Sequence, residues 1–401
     1  MNAQAQTRTL PQVFALGVTQ TIAWASSTYL IAILARPIAE ELGLSLSTVF
    51  GAFSISLVVM ALTGPSAGRA IDTRGGRGVL LLSNVVLAGG LALLGAAHEP
   101  VVLFAAWCAI GWGMALGLYD AAFATLVRLH GEAARAPITG ITLIAGFAST
   151  VGWPLTAFVA ERYGWRVSCY AWAVLHIAVA LPVNLLFVPK VARRAPSASD
   201  RKEASASVFG ADAQEKRAFV LLALFAALTA FVTSAMAAHL PGLLVAAGTT
   251  AVGAIAAGAL LGPAQVAARF LEFTASRRFD LHPLASARIA TACHPLAGFA
   301  LAFFGGPTAV AMAFAVLHGA GNGLITIARG TLPLAIFGAA GYGHRQGVLG
   351  VLARAMQALA PYAYGLVLER AGAGAAIALS VGLSLVALAT LLVLAAPSTR
   401  A

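Results

Sequence analysis

Twelve long apolar runs follow one another through this chain, and no other feature constrains its fold so strongly. They cover residues 12–35, 46–67, 78–97, 101–126, 138–160, 167–188, 218–245, 249–272, 284–304, 308–330, 347–368 and 373–396. About 20 such residues are needed to carry a helix across a hydrocarbon core of about 30 Å. That core offers no water to backbone groups, so a run must close its hydrogen bonds within itself, as a helix does. Strands of a membrane barrel would alternate apolar and polar residues, and these do not. Composition agrees, with 60% hydrophobic and only 10% charged residues. The runs predict an all-α integral membrane protein with twelve transmembrane helices.

Between the sixth and seventh runs lies the one long polar segment, rich in Ser, Ala and charge. It divides the chain into an N-terminal six-helix half (1–188), a linker (189–217) and a C-terminal six-helix half (218–401). With the N-terminus placed in the cytoplasm, seventeen basic residues fall inside, and four, Arg36, Arg162, Arg166 and Arg370, fall outside. Basic residues favour the cytoplasmic side, so both termini and the linker are expected there, in a cell (inner) membrane. The net charge of +11 sits at helix ends and in the linker rather than on one face. That pattern sets topology and does not describe a nucleic-acid surface. Cys108, Cys169 and Cys293 are widely spaced, so neither a disulfide framework nor a metal site is indicated. The first eleven residues are polar and a full-length run follows, so no cleaved signal peptide is expected. No cofactor is implied, and no nucleophile elbow or phosphate loop points to an enzyme.

The halves echo each other. Gly64-Pro65 followed by Arg69 in the second run is matched by Gly262-Pro263 followed by Arg269 in the eighth. Pro154 followed by Glu161-Arg162 is matched by Pro361 followed by Glu369-Arg370. Corresponding breaks in corresponding helices predict two pseudo-symmetric repeats, an architecture common among transporters. With these halves, the segment GRAIDTRGGR between helices two and three resembles the loop signature of the major facilitator superfamily. Gly68, Asp72, Gly75 and Arg77 match that signature; Thr73 stands where a basic residue is usual, and Arg74 is shifted by one. The resemblance implies the major facilitator fold and a latch on the cytoplasmic side. Gly68 permits close helix approach, and Asp72 can accept hydrogen bonds from the N–H groups at another helix end. Arg77 can pair with a carboxylate on helix four. The alternative is that Arg74 and Arg77 only set topology.

Ionisable residues inside a bilayer are costly and mark function. Asp120, His176, Arg269, Glu272, His318, Arg329 and Arg354 lie within the runs, and Arg288 near a run's start can snorkel. Arg354 follows Arg345 by nine residues, roughly 14 Å at 1.5 Å per residue. Arg269 precedes Arg277, and Asp120 precedes Arg128, by eight residues, roughly 12 Å. All three then share one central layer with a net positive charge, which suits an anion held by the arginine fork. Gln265, Arg269 and Glu272 share one face of helix eight, and Arg354, Gln357 and Pro361 one face of helix eleven. His318, Asn322 and Arg329 form a stripe on helix ten, and Gln20, Trp24 and Ser27, with Ser26 and Tyr29 nearby, form one on helix one; together these faces are expected to wall a central substrate cavity. Two roles stay open for Glu272, which either lines the site or neutralises Arg269. Asp120 belongs either to the latch with Arg77 or to the substrate site. His176 and His318 carry protons or are hydrogen-bonded core residues.

Cations on helices eight and eleven resemble those of the monocarboxylate and oxalate branches, where they face carboxylates. The expected function is therefore secondary active transport of a small organic anion, monocarboxylate-like and proton-coupled, by a monomer working through alternating access. Helix one departs from the monocarboxylate pattern, since AWASSTYL carries no acidic residue. Gly152-Trp153-Pro154-Leu155 breaks the drug-antiporter signature of helix five. Efflux of a drug, toxic compound or metalloid is the alternative. The topology has a direct check. A cysteine replacing Ser197 on a cysteine-free background should resist an impermeant maleimide added outside intact cells and react after permeabilisation. Labelling from outside would invert the orientation.

Overall fold

The computed structural model describes residues 3–190, 212–279 and 281–394. The greater part of the expected linker, 191–211, lies outside the described residues. The described residues are 91% helical, with no strand among them. In chain order the helices are α1 (Ala3–Ala25), α2 (Leu30–Leu42), α3 (Leu46–Arg74), α4 (Gly76–Gly95), α5 (Pro100–Gly117), α6 (Tyr119–His130), α7 (Arg135–Ala145) and α8 (Ala148–Tyr163). There follow α9 (Trp165–Leu175), α10 (Leu181–Phe187), α11 (Ala213–Ala246), α12 (Ala251–Phe279), α13 (Pro283–Phe304), α14 (Thr308–Phe337) and α15 (Tyr342–Val393).

Among the described residues, ten helical stretches are long and apolar enough to cross a membrane. Two of them, Pro100–Tyr163 and Tyr342–Val393, hold 64 and 52 residues, roughly 96 and 78 Å of helix against a core of about 30 Å. Each contains two of the expected runs and is interrupted between them. The first breaks at Gly131, φ 57°, followed by a tight 3₁₀ turn over Gly131–Ala134. The second breaks at Gly372, φ 82°. Twelve crossings would follow from a reversal at each interruption, and the count stays an expectation on that footing.

Large apolar side chains face outward: Leu62 is 73% exposed, Val252 78% and Phe303 80%. Polar ones are turned in, among them Gln20, His176, Arg269 and Arg354. A water-soluble chain would do the opposite. Starts and stops follow local chemistry. The Ser45 hydroxyl accepts the Thr48 N–H at the head of α3, and Gly43 ends α2 in the left-handed region, φ 64°.

The chain forms two compact units. One comprises Met1–Val208 with Gly338–Val351, the other Phe209–Phe337 with Leu352–Ala401. The fourteen residues 338–351 thus belong with the N-terminal helices, although they lie well beyond the linker in sequence. Within the first unit α4 and α5 pack closely, as do α3 and α5. Gly111 of α5 abuts Ser56 of α3, and Gly113 abuts Leu87 of α4. Small residues let backbones approach where lipid supplies no hydrophobic drive between helices. Within the second unit α12 and α13 both pack on α14, where Gly319 and Gly323 meet the backbone of Leu261 and Gln265.

A Cβ at Gly111 would overlap the Ser56 carbonyl, whereas one at Gly89 would meet open space. Gly111→Ala should therefore cost about 1–3 kcal/mol of stability through overpacking, and Gly89→Ala should be neutral or better. Thermal unfolding in detergent distinguishes them; equal losses would show that the close approach is not the cause.

Candidate functional site

In the first unit the helices that carry the polar residues are broken. α1 stops at Ala25, a turn occupies Ser26–Tyr29, and α2 resumes at Leu30. The stripe expected to run unbroken through Gln20, Trp24 and Ser27 therefore ends at Ala25. Ser27 instead turns its hydroxyl back onto the Ala23 carbonyl. The fourth run breaks at Leu118, whose backbone is extended (φ −78°, ψ −172°), and α6 starts afresh with Asp120 in its first turn. The Ala121 N–H bonds to the Leu118 carbonyl at 3.0 Å rather than continuing the ladder. The Gly117 carbonyl so released accepts from the Gln20 side-chain amide.

Aromatic rings gather around these two breaks. Trp24 lies 5.0 Å from Tyr119 and 6.0 Å from Tyr29 between ring centroids. Trp153 meets Tyr29 edge-on at 5.8 Å and donates its indole N–H to the Tyr29 carbonyl at 3.2 Å. Behind them, His176 is fully buried at a π-helical turn over His176–Ala180. Its Nε2 lies 2.8 Å from the Ser26 hydroxyl and its Nδ1 2.9 Å from Asn84 Oδ1. Of the two roles left open for His176, hydrogen-bonded core residue is the one these contacts describe. Asn84 donates to the Leu80 carbonyl at 2.9 Å, which orients its oxygen toward the ring. Asn84 was not singled out from sequence; a lone Asn in the apolar third run was the available signal.

The loop signature acts on the 338–351 stretch. Asp72 accepts the N–H groups of Gly343 and His344 at 2.9 and 2.8 Å, the first-turn donors that α15 cannot satisfy itself. The His344 ring Nδ1 lies 3.1 Å from the Pro65 carbonyl. Gly68 lies directly against Gly343, and Gly347 against Gly64, so that neither seam has room for a Cβ at Gly68, Gly343 or Gly347. Asp120 joins the same seam: Gln346 donates to it at 3.2 Å. Arg77 departs from expectation. Among the described residues it meets no carboxylate, and its Nε is buried without a hydrogen bond. Arg74 is exposed at the end of α3.

The second unit holds the intramembrane arginines. Arg269 on α12 is 5% exposed and donates to the Gly323 carbonyl at 3.3 Å, to Gln265 Oε1 at 3.4 Å and to Thr326 Oγ1 at 3.5 Å. The close approach at Gly323 is what brings that carbonyl within reach. Glu272, a turn further on, accepts from Ser276 at 2.6 Å and Ser286 at 3.3 Å. Arg354 is 6% exposed and donates to Gln357 Oε1 at 2.9 Å. Pro361 has no N–H to offer the Gln357 carbonyl one turn back, and the Ser234 hydroxyl donates to it at 2.8 Å. Asn322 accepts from Thr233 at 3.2 Å. His318 is buried and stacked between His294, at 4.4 Å, and Phe314, at 5.7 Å. Arg288 does not snorkel: it donates to the Leu391 and Leu394 carbonyls at 3.0 and 2.9 Å, capping the last helix. Thr233, Ser234 and Gln346 were missed because hydroxyls and amides are common in transmembrane helices and carry no periodic signal here.

The family model described as Major Facilitator Superfamily matches residues 16–311. Among solved structures, the human organic anion transporter MFSD10 (TETRAN) superposes with a TM-score of 0.73 at 18% identity, covering 98% of this chain and 100% of that one. FucP in its outward conformation gives 0.73 at 16% identity, over 94% and 97%; it is the fucose:proton symporter of E. coli. The proton:xylose symporter XylE gives 0.73 at 12% identity, over 96% and 95%. At such identities the likeness is one of fold. An uncharacterized 38 kDa protein in the 23S RNA operon of Thermoproteus tenax is 30% identical over 154 residues, 38% of this chain. The chain spans about two fifths (40%) of the length of that relative.

Asp72→Ala should raise amide exchange at Gly343 and His344 and cost about 1.5–3 kcal/mol, the loss of charge-assisted bonds. Asp72→Asn, which keeps one carbonyl acceptor, should fall between. Wild-type exchange in both variants would show that the carboxylate does not hold the segment.

Proposed function

The chain belongs to the major facilitator superfamily and is a secondary transporter rather than an enzyme; from that premise we propose that it moves a small organic anion of monocarboxylate type, coupled to protons, by alternating access. The observation that carries the proposal is the pair Arg269 and Arg354. Each is more than nine-tenths buried in a membrane-spanning bundle, and each shares its helix face with a glutamine, Gln265 and Gln357. Arginine at such depth costs at least about 2.5–3.5 kcal/mol on insertion scales, an expense that function explains. Its planar fork matches a carboxylate in two parallel bonds. That the human organic anion transporter MFSD10 (TETRAN) shares this fold is in keeping with this reading. The proton coupling is in keeping with the symporters of that fold.

In this reading Arg269, Arg354, Gln265 and Gln357 hold the carboxylate, with Asn322 beside them in the second unit. Gln20, Trp24 and Tyr29 are the solute contacts proposed for the first unit, Trp24 and Tyr29 as ring faces. Ser27 and His318 serve by fixing the neighbouring backbone and rings. Glu272 and Asp120 supply the counter-charge that changes partner during the cycle, and Gly68, Asp72, Arg74 and Arg77 govern exchange. The protein is a monomer in a cell (inner) membrane, with both termini and the linker cytoplasmic, and the halves are 1–188 and 218–401.

Small carboxylates, inorganic anions and metalloids screened by thermal shift against the purified protein should identify the solute as a carboxylate. Arg354→Ala and Arg269→Ala should each weaken its binding by about 1.5–3 kcal/mol, roughly ten- to a hundred-fold. Arg354→Lys keeps the charge but loses the fork and should recover only part. Unchanged binding in both alanine variants, or a cationic solute, would overturn the anion reading and leave the efflux alternative in front.

A further inference from the structure

We propose that Glu132 is a second positioning residue for conformational exchange, acting on the same stretch as Asp72 from a different element of the chain. The inference deepens the alternating-access reading and rests on it. Glu132 stands on the 3₁₀ turn Gly131–Ala134 that joins α6 to α7. That turn is fixed from both sides. Gly131 takes the left-handed φ of 57° that reverses the chain, and the preceding His130 ring lies 3.0 Å from Gln12 Oε1 of α1. From there Glu132 Oε1 accepts the N–H of Ala339 at 2.9 Å.

Ala339 precedes α15, so no helical ladder satisfies its N–H. Gly343 and His344 lie in the first turn of α15 and are orphaned in the same way. Two carboxylates from separate elements, Asp72 in the last turn of α3 and Glu132 on the turn after α6, therefore grip the two ends of the six-residue stretch 339–344. Both read backbone rather than side chains, so what they recognise is the shape of the turn. Its shape depends on Gly338 and Gly341, with φ of 73° and 62°, where a side chain would be strained. A Cβ at Gly338 would in addition sit 3.3 Å from Glu132 Oε1. All three N–H groups can pass to water when the turn withdraws. The catch therefore releases without stranding a buried donor, as a contact that must open in every cycle requires. Asp72 comes from the loop signature; nothing in that signature reaches Glu132.

The test uses the purified full-length protein in detergent with no solute present. Residue-resolved amide exchange is followed over 338–344, together with maleimide labelling of a cysteine at Gly64, on the glycine seam, in a background lacking Cys108, Cys169 and Cys293. Glu132→Ala should speed exchange at Ala339 by about three- to tenfold and speed labelling in the same direction. Glu132→Gln keeps an acceptor without the charge and should lie between. Combined with Asp72→Asn, the effects on labelling should multiply, as for two contacts biasing one equilibrium. Gly338→Ala perturbs the same bond without replacing the carboxylate, by crowding its Oε1 and straining the turn, and should act in the same direction. Unchanged exchange at Ala339 in Glu132→Ala overturns the contact. Raised exchange with unchanged labelling reduces Glu132 to local ordering of the turn and overturns the proposal, while the anion reading, judged on Arg269 and Arg354, would stand.

Discussion

A helix in hydrocarbon must satisfy every backbone group from protein, and in this molecule that demand decides what most of the polar side chains do. At several of the interruptions a side chain takes over the stranded group. Gln20 serves Gly117 at the break before α6, and Ser27 serves Ala23 at the end of α1. Ser234 serves Gln357, which Pro361 leaves without a donor, and Arg288 serves the carbonyls at the end of α15. A polar residue in a membrane run is therefore not by itself a sign of a solute site. The candidates that survive this discount are those whose size or charge exceeds what the backbone asks, above all Arg269 and Arg354.

The same demand explains why the first unit can hold the 338–351 stretch without committing to it. The seam is built of glycines facing glycines, Gly68 against Gly343 and Gly64 against Gly347. Such contacts bury little apolar area and lock few rotamers, so closing and opening them costs little either way. The specificity comes from carboxylates set at the helix start, where the N–H groups point outward and favour negative charge.

Much of this was legible in the sequence, for reasons that can be named. Hydropathy marks the helices because length and lipid leave no alternative, and GRAIDTRGGR marks the loop because its Asp must meet a helix start. The expectation that Asp72 receives N–H groups from another helix matches its bonds to Gly343 and His344. The breaks at Ser26–Tyr29 and Leu118 were not legible. The Ser26–Tyr29 turn holds no Pro or Gly, and Gly117 before Leu118 is one glycine among many in these runs; both breaks depend on partners distant in sequence, His176 for one and Gln20 for the other. Helical periodicity assumed continuity there and so misplaced Ser27. It also treated His318 as a residue of a cavity wall, while the structure stacks it between His294 and Phe314. For the rest of the candidate site, spacing along one helix says which residues share a face, not which neighbouring helix that face meets.

The grouping of Gly338–Val351 with the N-terminal helices bears on how the chain can be divided. The natural place to cut is the polar segment after the sixth run, yet the N-terminal piece would then lack a strip of its own contact network. Asp72, Glu132 and Asp120 would each lose a partner at once, and the glycine faces of α3 would have nothing to pack against. The C-terminal piece would meanwhile carry the head of α15 with its first-turn donors uncapped. A cut at the linker thus does not yield two self-sufficient bodies: the N-terminal unit is complete only while residues beyond the linker supply it with chain.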